Sequence, residues 1–147
     1  MLKLRKNKKG FTLVELIVVI AIMAVLAGVV AGVTVSQLNK QTDKTNQSQA
    51  KTIADFISAK IVEESYDFEK LSDFLGTDNK IVATSGIGKA LTEQYGNKIV
   101  LEDDAVKGKT ISVKFATDHF EVEYKGKTDN GNIKYSIDKD AVVKKID

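Results

Sequence analysis

The sequence predicts an α+β chain: one long N-terminal helix, apolar at first and amphipathic at its far end, packed on a small antiparallel β-sheet. Three observations lead there. Leu16 to Val35 is an apolar run without a charge. No glycine interrupts the chain between Gly32 and Gly76, and there is no proline anywhere to stop a helix. Beyond residue 110, apolar residues alternate with polar ones in three short runs, the period of half-buried strands.

The apolar run is about 20 residues long, so at roughly 1.5 Å per residue it crosses a bilayer core of about 30 Å. The charges ahead of it, Lys3, Arg5, Lys6, Lys8 and Lys9, are all positive until Glu15. Basic flanks hold that end in the cytoplasm, which places the remainder outside. An ordinary secretory signal peptide would share this layout, with a cut after Val29-Val30-Ala31. The alternative is a cut after Gly10 that leaves the apolar segment in the mature protein. Glu15 favours the second reading. A carboxylate costs on the order of 3 kcal/mol near the centre of a membrane helix and marks a function there. A discarded peptide has no use for one.

Gly10-Phe11-Thr12-Leu13-Val14-Glu15 before an uninterrupted apolar helix resembles the processing site of type IV prepilins and their relatives, the pseudopilins. The resemblance is residue by residue from Gly10 to about Val35, and the overall form extends it to the whole chain. It implies the type IV pilin fold. It further implies cleavage between Gly10 and Phe11 by a membrane-embedded aspartyl prepilin peptidase, then N-methylation of Phe11. Glu15 becomes the fifth mature residue, paired with the terminal amine of a neighbouring subunit and setting registry during assembly. The expected domains are a leader over 1–10, a transmembrane and fibre-core half of the helix over 11–35, its amphipathic half over 36–64, and a globular head over 65–147.

Composition supports one small domain plus the helix. The 22 basic and 20 acidic residues give a net charge of +2, but five of the basic ones lie in the leader. The mature chain is therefore slightly acidic, and no nucleic-acid partner is expected. There are no cysteines, so the head holds together by packing and strand pairing alone. Many Gram-negative pilins close their C-terminal region with a disulfide, so this absence leans towards the Gram-positive branch. Gly28 and Gly32 stand where many relatives kink the helix with proline; they soften it less, and they allow close helix packing.

Ser36 to Gln49 is polar all round, and Thr42–Gln49 is the weakest part of the helix prediction. Ala50, Ile53, Ala54, Ile57, Ile61 and Val62 then form a stripe with helical spacing. The helix should run from about Phe11 to Glu64, roughly 80 Å. Asp67 to Gly76 reads as a short helix with Phe68, Leu71 and Leu75 on one face, followed by a turn at Thr77-Asp78-Asn79. Ser85-Gly86-Ile87-Gly88-Lys89-Ala90 imitates a phosphate loop, but Ala83 and Ala90 break the Walker pattern and Leu91 breaks the dinucleotide one. Gly86–Gly88 is expected as loop, with a helix from there to Tyr95 and a stop at Gly96. Lys98–Leu101 reads as a short strand.

Ile111, Val113 and Phe115, then Phe120, Val122 and Tyr124, then Ile133, Tyr135 and Ile137 define three strands. The first two join near Thr117-Asp118, the last two through a loop with the hairpin signal Asn130-Gly131. Their apolar face should cover the Ile53/Ile57/Ile61 stripe. Asp138–Asp147 is expected as a polar tail docked by Val142, Val143 and Ile146.

Catalytic chemistry is not legible: no nucleophile–base pair or paired carboxylates stand out, and no cofactor is implied. His119 has no second histidine or cysteine to share a metal. Asp129-Asn130-Gly131-Asn132 is oxygen-rich, but it lacks the full calcium-loop pattern, and a turn explains it.

The resemblance implies a structural subunit of a type IV pilus, held in the cell membrane as a single-pass precursor with its head outside and later extracellular in the fibre. It would polymerise with copies of itself through its apolar helix and serve adhesion, motility or biofilm formation. Implied partners are the membrane, the prepilin peptidase, a pilus assembly ATPase, a platform protein and minor pilins. A pseudopilin of a secretion or competence system, or a minor tip pilin with a binding role, are the alternatives.

Overall fold

The computed structural model describes residues 10–65, 68, 75–76, 80–84, 86–101 and 105–146. Helix α1 spans Leu13–Glu64 without a break, close to the expected bounds. The chain divides into two compact units, Met1–Gln37 and Leu38–Asp147. In the first, the large apolar residues of the helix from Leu13 to Val35 are all exposed. Thr34 keeps its hydroxyl satisfied by donating to the Val30 carbonyl at 2.8 Å.

In the second unit the predicted stripe is the core face. Ala50, Ile53, Ala54, Ile57 and Ile61 of α1 are buried, while Val62 remains exposed. Each large aliphatic buried this way contributes about 1.5–3 kcal/mol. Thr42–Gln49 stays helical, because three of its polar side chains have partners elsewhere in the head, described below.

Helix α2 spans Gly86–Tyr95 and starts at the first glycine, so the expected Gly86–Gly88 loop is a helical turn. Gly88 is buried there, because a Cβ would collide with the Val82 carbonyl. Its glycine serves close packing, not loop freedom. Gly96, at φ 51°, ends the helix as expected. Tyr95 packs edge-on against Phe56 of α1, with ring centres 5.6 Å apart.

Five strands follow: β1 (Ile99–Leu101), β2 (Ile111–Ala116), β3 (His119–Tyr124), β4 (Ile133–Ile137) and β5 (Val143–Ile146), forming one sheet in that order. The pairs from β2 to β5 are antiparallel, with Phe115 opposite Phe120 and Val122 opposite Tyr135. Two features correct the sequence reading. The β1–β2 pair is parallel, with Ile99 beside Ile111, so the sheet is mostly and not wholly antiparallel. A three-residue strand carries no alternation from which its direction could be read.

The C-terminal tail is likewise a strand, with Ile137 opposite Val143. Its entry turn is fixed by Asp138, whose carboxylate accepts from the backbone N–H groups of Asp140 and Val142. Ala141 takes a φ of 58°, and its carbonyl accepts from the Ser58 hydroxyl of α1 at 2.6 Å.

Phe120, Val122, Tyr124, Val113 and Ile137 are fully buried in the core with the α1 stripe. Phe68 joins them, its ring 5.8 Å from Phe115 and 6.0 Å from Phe120. Most of the expected Asp67–Gly76 helix, and all of the Thr77–Asn79 turn, lie outside the described residues. Leu75, which is described, bridges to Ile81.

Candidate assembly and processing site

Gly10 and Phe11 precede the first turn of α1 and are exposed, Phe11 almost completely at 93%. The helix itself is opened by Thr12. Its backbone N–H donates to the Glu15 carboxylate at 2.7 Å and its hydroxyl donates to the same oxygen at 2.8 Å. In return the Glu15 N–H donates to the Thr12 hydroxyl oxygen at 3.3 Å. This is a capping box, in which Thr at the N-cap and Glu three residues later satisfy each other's orphan donors. Thr12-Leu13-Val14-Glu15 spells it in the sequence, a local signal that sequence reasoning missed.

Glu15 therefore has a local task within one chain. Gly10, Phe11 and Glu15 are gathered at this N-terminal turn, with Thr12 as the residue that orients the carboxylate. The large apolar side chains of the helix from Leu13 to Val35 are exposed. Its length and composition are those of a membrane-crossing helix.

The second unit holds a polar centre that sequence reasoning missed. Asp43 of α1 is 97% buried, with a relative exposure of 3%. It accepts from the Tyr124 hydroxyl at 2.8 Å, the Lys127 N–H at 2.8 Å, the Thr128 N–H at 2.9 Å and the Thr128 hydroxyl at 2.6 Å. Burial pushes its carboxyl pKa up. The donors from Thr128, Lys127 and Tyr124 outweigh that and hold it at about 2.

Neighbouring helix residues extend the clasp. Asn46 donates to the Tyr124 hydroxyl oxygen at 3.0 Å, and Gln47 donates to the carbonyls of Asn130 at 3.2 Å and Gly131 at 3.0 Å. The loop between β3 and β4 is thus fastened to α1. It contains a short 3-10 turn at Asp129–Gly131, and neither Asn130 nor Gly131 has positive φ, so the two-residue hairpin turn suggested by Asn130-Gly131 is not formed. Gly131 is needed for a different reason: a side chain there would run into the Asp43 carboxylate. No sequence signal marks Asp43, whose partners lie more than 80 positions away.

A carboxylate saturated by four donors is neither a general base nor a free metal ligand. Among the described residues, no group of three His, Cys, Asp or Glu side chains is placed to hold a metal ion. His119 lies at the start of β3, with its ring nitrogens 2.8 Å from Asp118 and 3.4 Å from Glu121.

Residues 5–31 match the family model for the prokaryotic N-terminal methylation motif. The match covers Gly10, Phe11, Glu15 and most of the apolar run. Neither a curated protein nor a solved structure matches the chain.

Proposed function

We propose that this chain, marked by its N-terminal methylation motif as type IV prepilin-like, is the structural subunit of a type IV pilus filament. One observation carries the reading. The motif opens a helix whose apolar residues from Leu13 to Val35 are all exposed. Such a surface needs lipid or other apolar helices around it. In the membrane, lipid covers it in the precursor. In a filament, the helices of neighbouring subunits cover one another, and the gain in buried apolar area drives polymerisation.

On this reading the peptidase cuts after Gly10, Phe11 is N-methylated, and the Glu15 carboxylate pairs with the Phe11 amine of a neighbour. The head covers the fibre surface and has no catalytic task. Adhesion, motility and biofilm formation belong to the same proposal, with an assembly ATPase, a platform protein and minor pilins as partners.

Shearing the cell surface, imaging the released filaments and identifying their protein by mass spectrometry tests it. Long fibres made chiefly of this chain are expected. Short membrane-bound assemblies would make it a pseudopilin, and trace amounts in fibres of another protein would make it a minor pilin.

A further inference from the structure

Asn130-Gly131 is the only Asn-Gly pair in the chain, and it does not form the two-residue hairpin turn that such pairs favour. The pair has a chemistry of its own. Once deprotonated, the Gly131 backbone nitrogen is a nucleophile able to close a five-membered ring on the Asn130 side-chain carbonyl carbon. Glycine has no side chain to obstruct the approach. Attack makes the N–Cγ bond of a succinimide and expels the side-chain nitrogen as ammonia. Water then opens the ring at either carbonyl. The product is aspartate or, where the main chain now runs through Cγ, isoaspartate.

The electrophile is open to this reaction. Asn130 is exposed, and its side-chain amide has no hydrogen-bond partner among the described residues. Asn132 differs on both counts. Its side-chain oxygen accepts from the Gly126 N–H at 2.8 Å, and the branched Ile133 follows it.

The nucleophile, by contrast, is held. The Gly131 N–H donates to the Thr128 carbonyl at 2.9 Å within the Asp129–Gly131 turn, which opposes loss of its proton. Ring closure also has to rotate the Asn130–Gly131 peptide far from the helical ψ of a 3-10 turn. The carbonyl of that peptide accepts from Gln47 at 3.2 Å, and the Gly131 carbonyl accepts from the same side chain at 3.0 Å. Thr128 is tied to the buried Asp43 carboxylate through its N–H at 2.9 Å and its hydroxyl at 2.6 Å. Gly131 is buried against that carboxylate and Gly126, with no room for a Cβ. Rotating the peptide therefore means opening the clasp.

We propose that Asn130 is a site of spontaneous deamidation, which the Asp43 clasp holds unreacted while the head is closed. Each opening of the loop exposes the pair to the reaction, and the product does not revert. Isoaspartate inserts a methylene into the main chain where Gln47 grips it, and either product adds a negative charge beside Asp129. Both oppose reclosing, so the change marks and fixes an opened loop. The inference concerns the head alone and stands apart from the filament reading.

The test incubates the full chain in detergent micelles in warm, mildly alkaline buffer. Peptide mass spectrometry follows loss of the Asn130 amide, and labelling with isoaspartyl methyltransferase reports the ring-opened isomer. A synthetic peptide of residues 127–133 gives the unguarded rate. Asn130 in the folded chain should react at least about ten-fold more slowly than in the peptide, since reaction waits on local opening. Asp43→Ala should recover most of that difference. Gln47→Ala leaves the four bonds to Asp43 in place and should react about three- to ten-fold faster than wild type, as the loss of its hydrogen bonds implies.

Circular dichroism checks that each variant keeps its helix and strands; if Asp43→Ala loses them, Gln47→Ala decides. Wild type reacting at the peptide's rate overturns the proposal. So does a wild-type rate in Gln47→Ala or in a folded Asp43→Ala, which would confine the brake to the turn itself. Loss of the amide without any isoaspartate overturns the succinimide route in favour of direct hydrolysis.

Discussion

The Tyr124 hydroxyl donates to the Asp43 carboxylate at 2.8 Å across 81 positions of sequence, joining the end of β3 to the middle of α1. The bond belongs to a set of four, so removing the carboxylate strands several buried donors at once. Asp43→Ala should cost about 2–4 kcal/mol. Asp43→Asn should cost a similar amount, since its amide turns a donor towards donors. Both are measurable by urea denaturation of a chain starting at Ser36, which should fold as a soluble monomer with helix and strand signals in circular dichroism. A loss below about 0.5 kcal/mol for both variants would show that the clasp is incidental.

The same carboxylate makes the head acid-sensitive. Its folded pKa of about 2 lies below the ordinary 3.8, so the folded state binds its proton less readily than the unfolded one. The stabilisation is complete above pH 5 and is lost as pH falls from about 4 through 2, amounting to about 2–3 kcal/mol. Wild type should show this loss in denaturation midpoints across that window. Asp43→Asn should show a shallower decline, and an equal slope would assign the acid sensitivity to other carboxylates.

What the sequence made legible follows from locality. The Ile53/Ile57/Ile61 stripe and the alternation of Phe120, Val122 and Tyr124 are written in the spacing of neighbours, because helix and strand periods alone decide which face is buried. Asp43 could not be found that way. It is a charged residue in a polar stretch, and only the fold brings Thr128 to it. Strand β5 was hidden for a similar reason: Val143-Lys144-Lys145-Ile146 does not alternate, and its strand state depends on pairing with β4 and on the Asp138 turn. The capping box was local and readable, and was overshadowed by the assembly role that the resemblance gave to Glu15.

Glycines separate close packing from open space. Gly131 faces the Asp43 carboxylate, which four donors hold in place, whereas Gly28 has nothing within 4 Å. Gly131→Ala should therefore lower head stability by about 1–3 kcal/mol, as overpacking does. Gly28→Ala should leave the melting of the full chain unchanged in detergent. If Gly28→Ala nevertheless reduced fibre yield, its backbone would be in contact with a neighbouring helix in the filament.

Processing leaves a mass signature. With cleavage after Gly10, the mature N-terminus is Phe11 carrying one methyl group, and Gly10→Leu should leave full-length precursor in the membrane. An N-terminus at Gly32 would instead show signal peptidase at work and remove the apolar run from the product. Peptide mass spectrometry of the membrane fraction distinguishes the two.

Glu15 has two possible tasks, and they can be pulled apart. Within one chain it caps α1 through Thr12; between chains, a buried carboxylate among apolar helices needs a cation or costs several kcal/mol. On the proposed cleavage after Gly10, the new amine at Phe11 would supply that cation, presented by a neighbour at one axial stagger. Thr12→Ala removes the threonine half of the cap but keeps the charge. Glu15→Gln keeps a side-chain oxygen able to cap but loses the charge. If registry is the dominant task, Glu15→Gln should accumulate as processed monomer in the membrane, with fibre yield reduced at least about ten-fold. Thr12→Ala should still assemble. Normal fibres from Glu15→Gln, with loss from Thr12→Ala, would reverse the assignment and make Glu15 a helix cap alone. Processing should remain nearly intact in both variants, because the Gly10–Phe11 bond lies before the first helical turn.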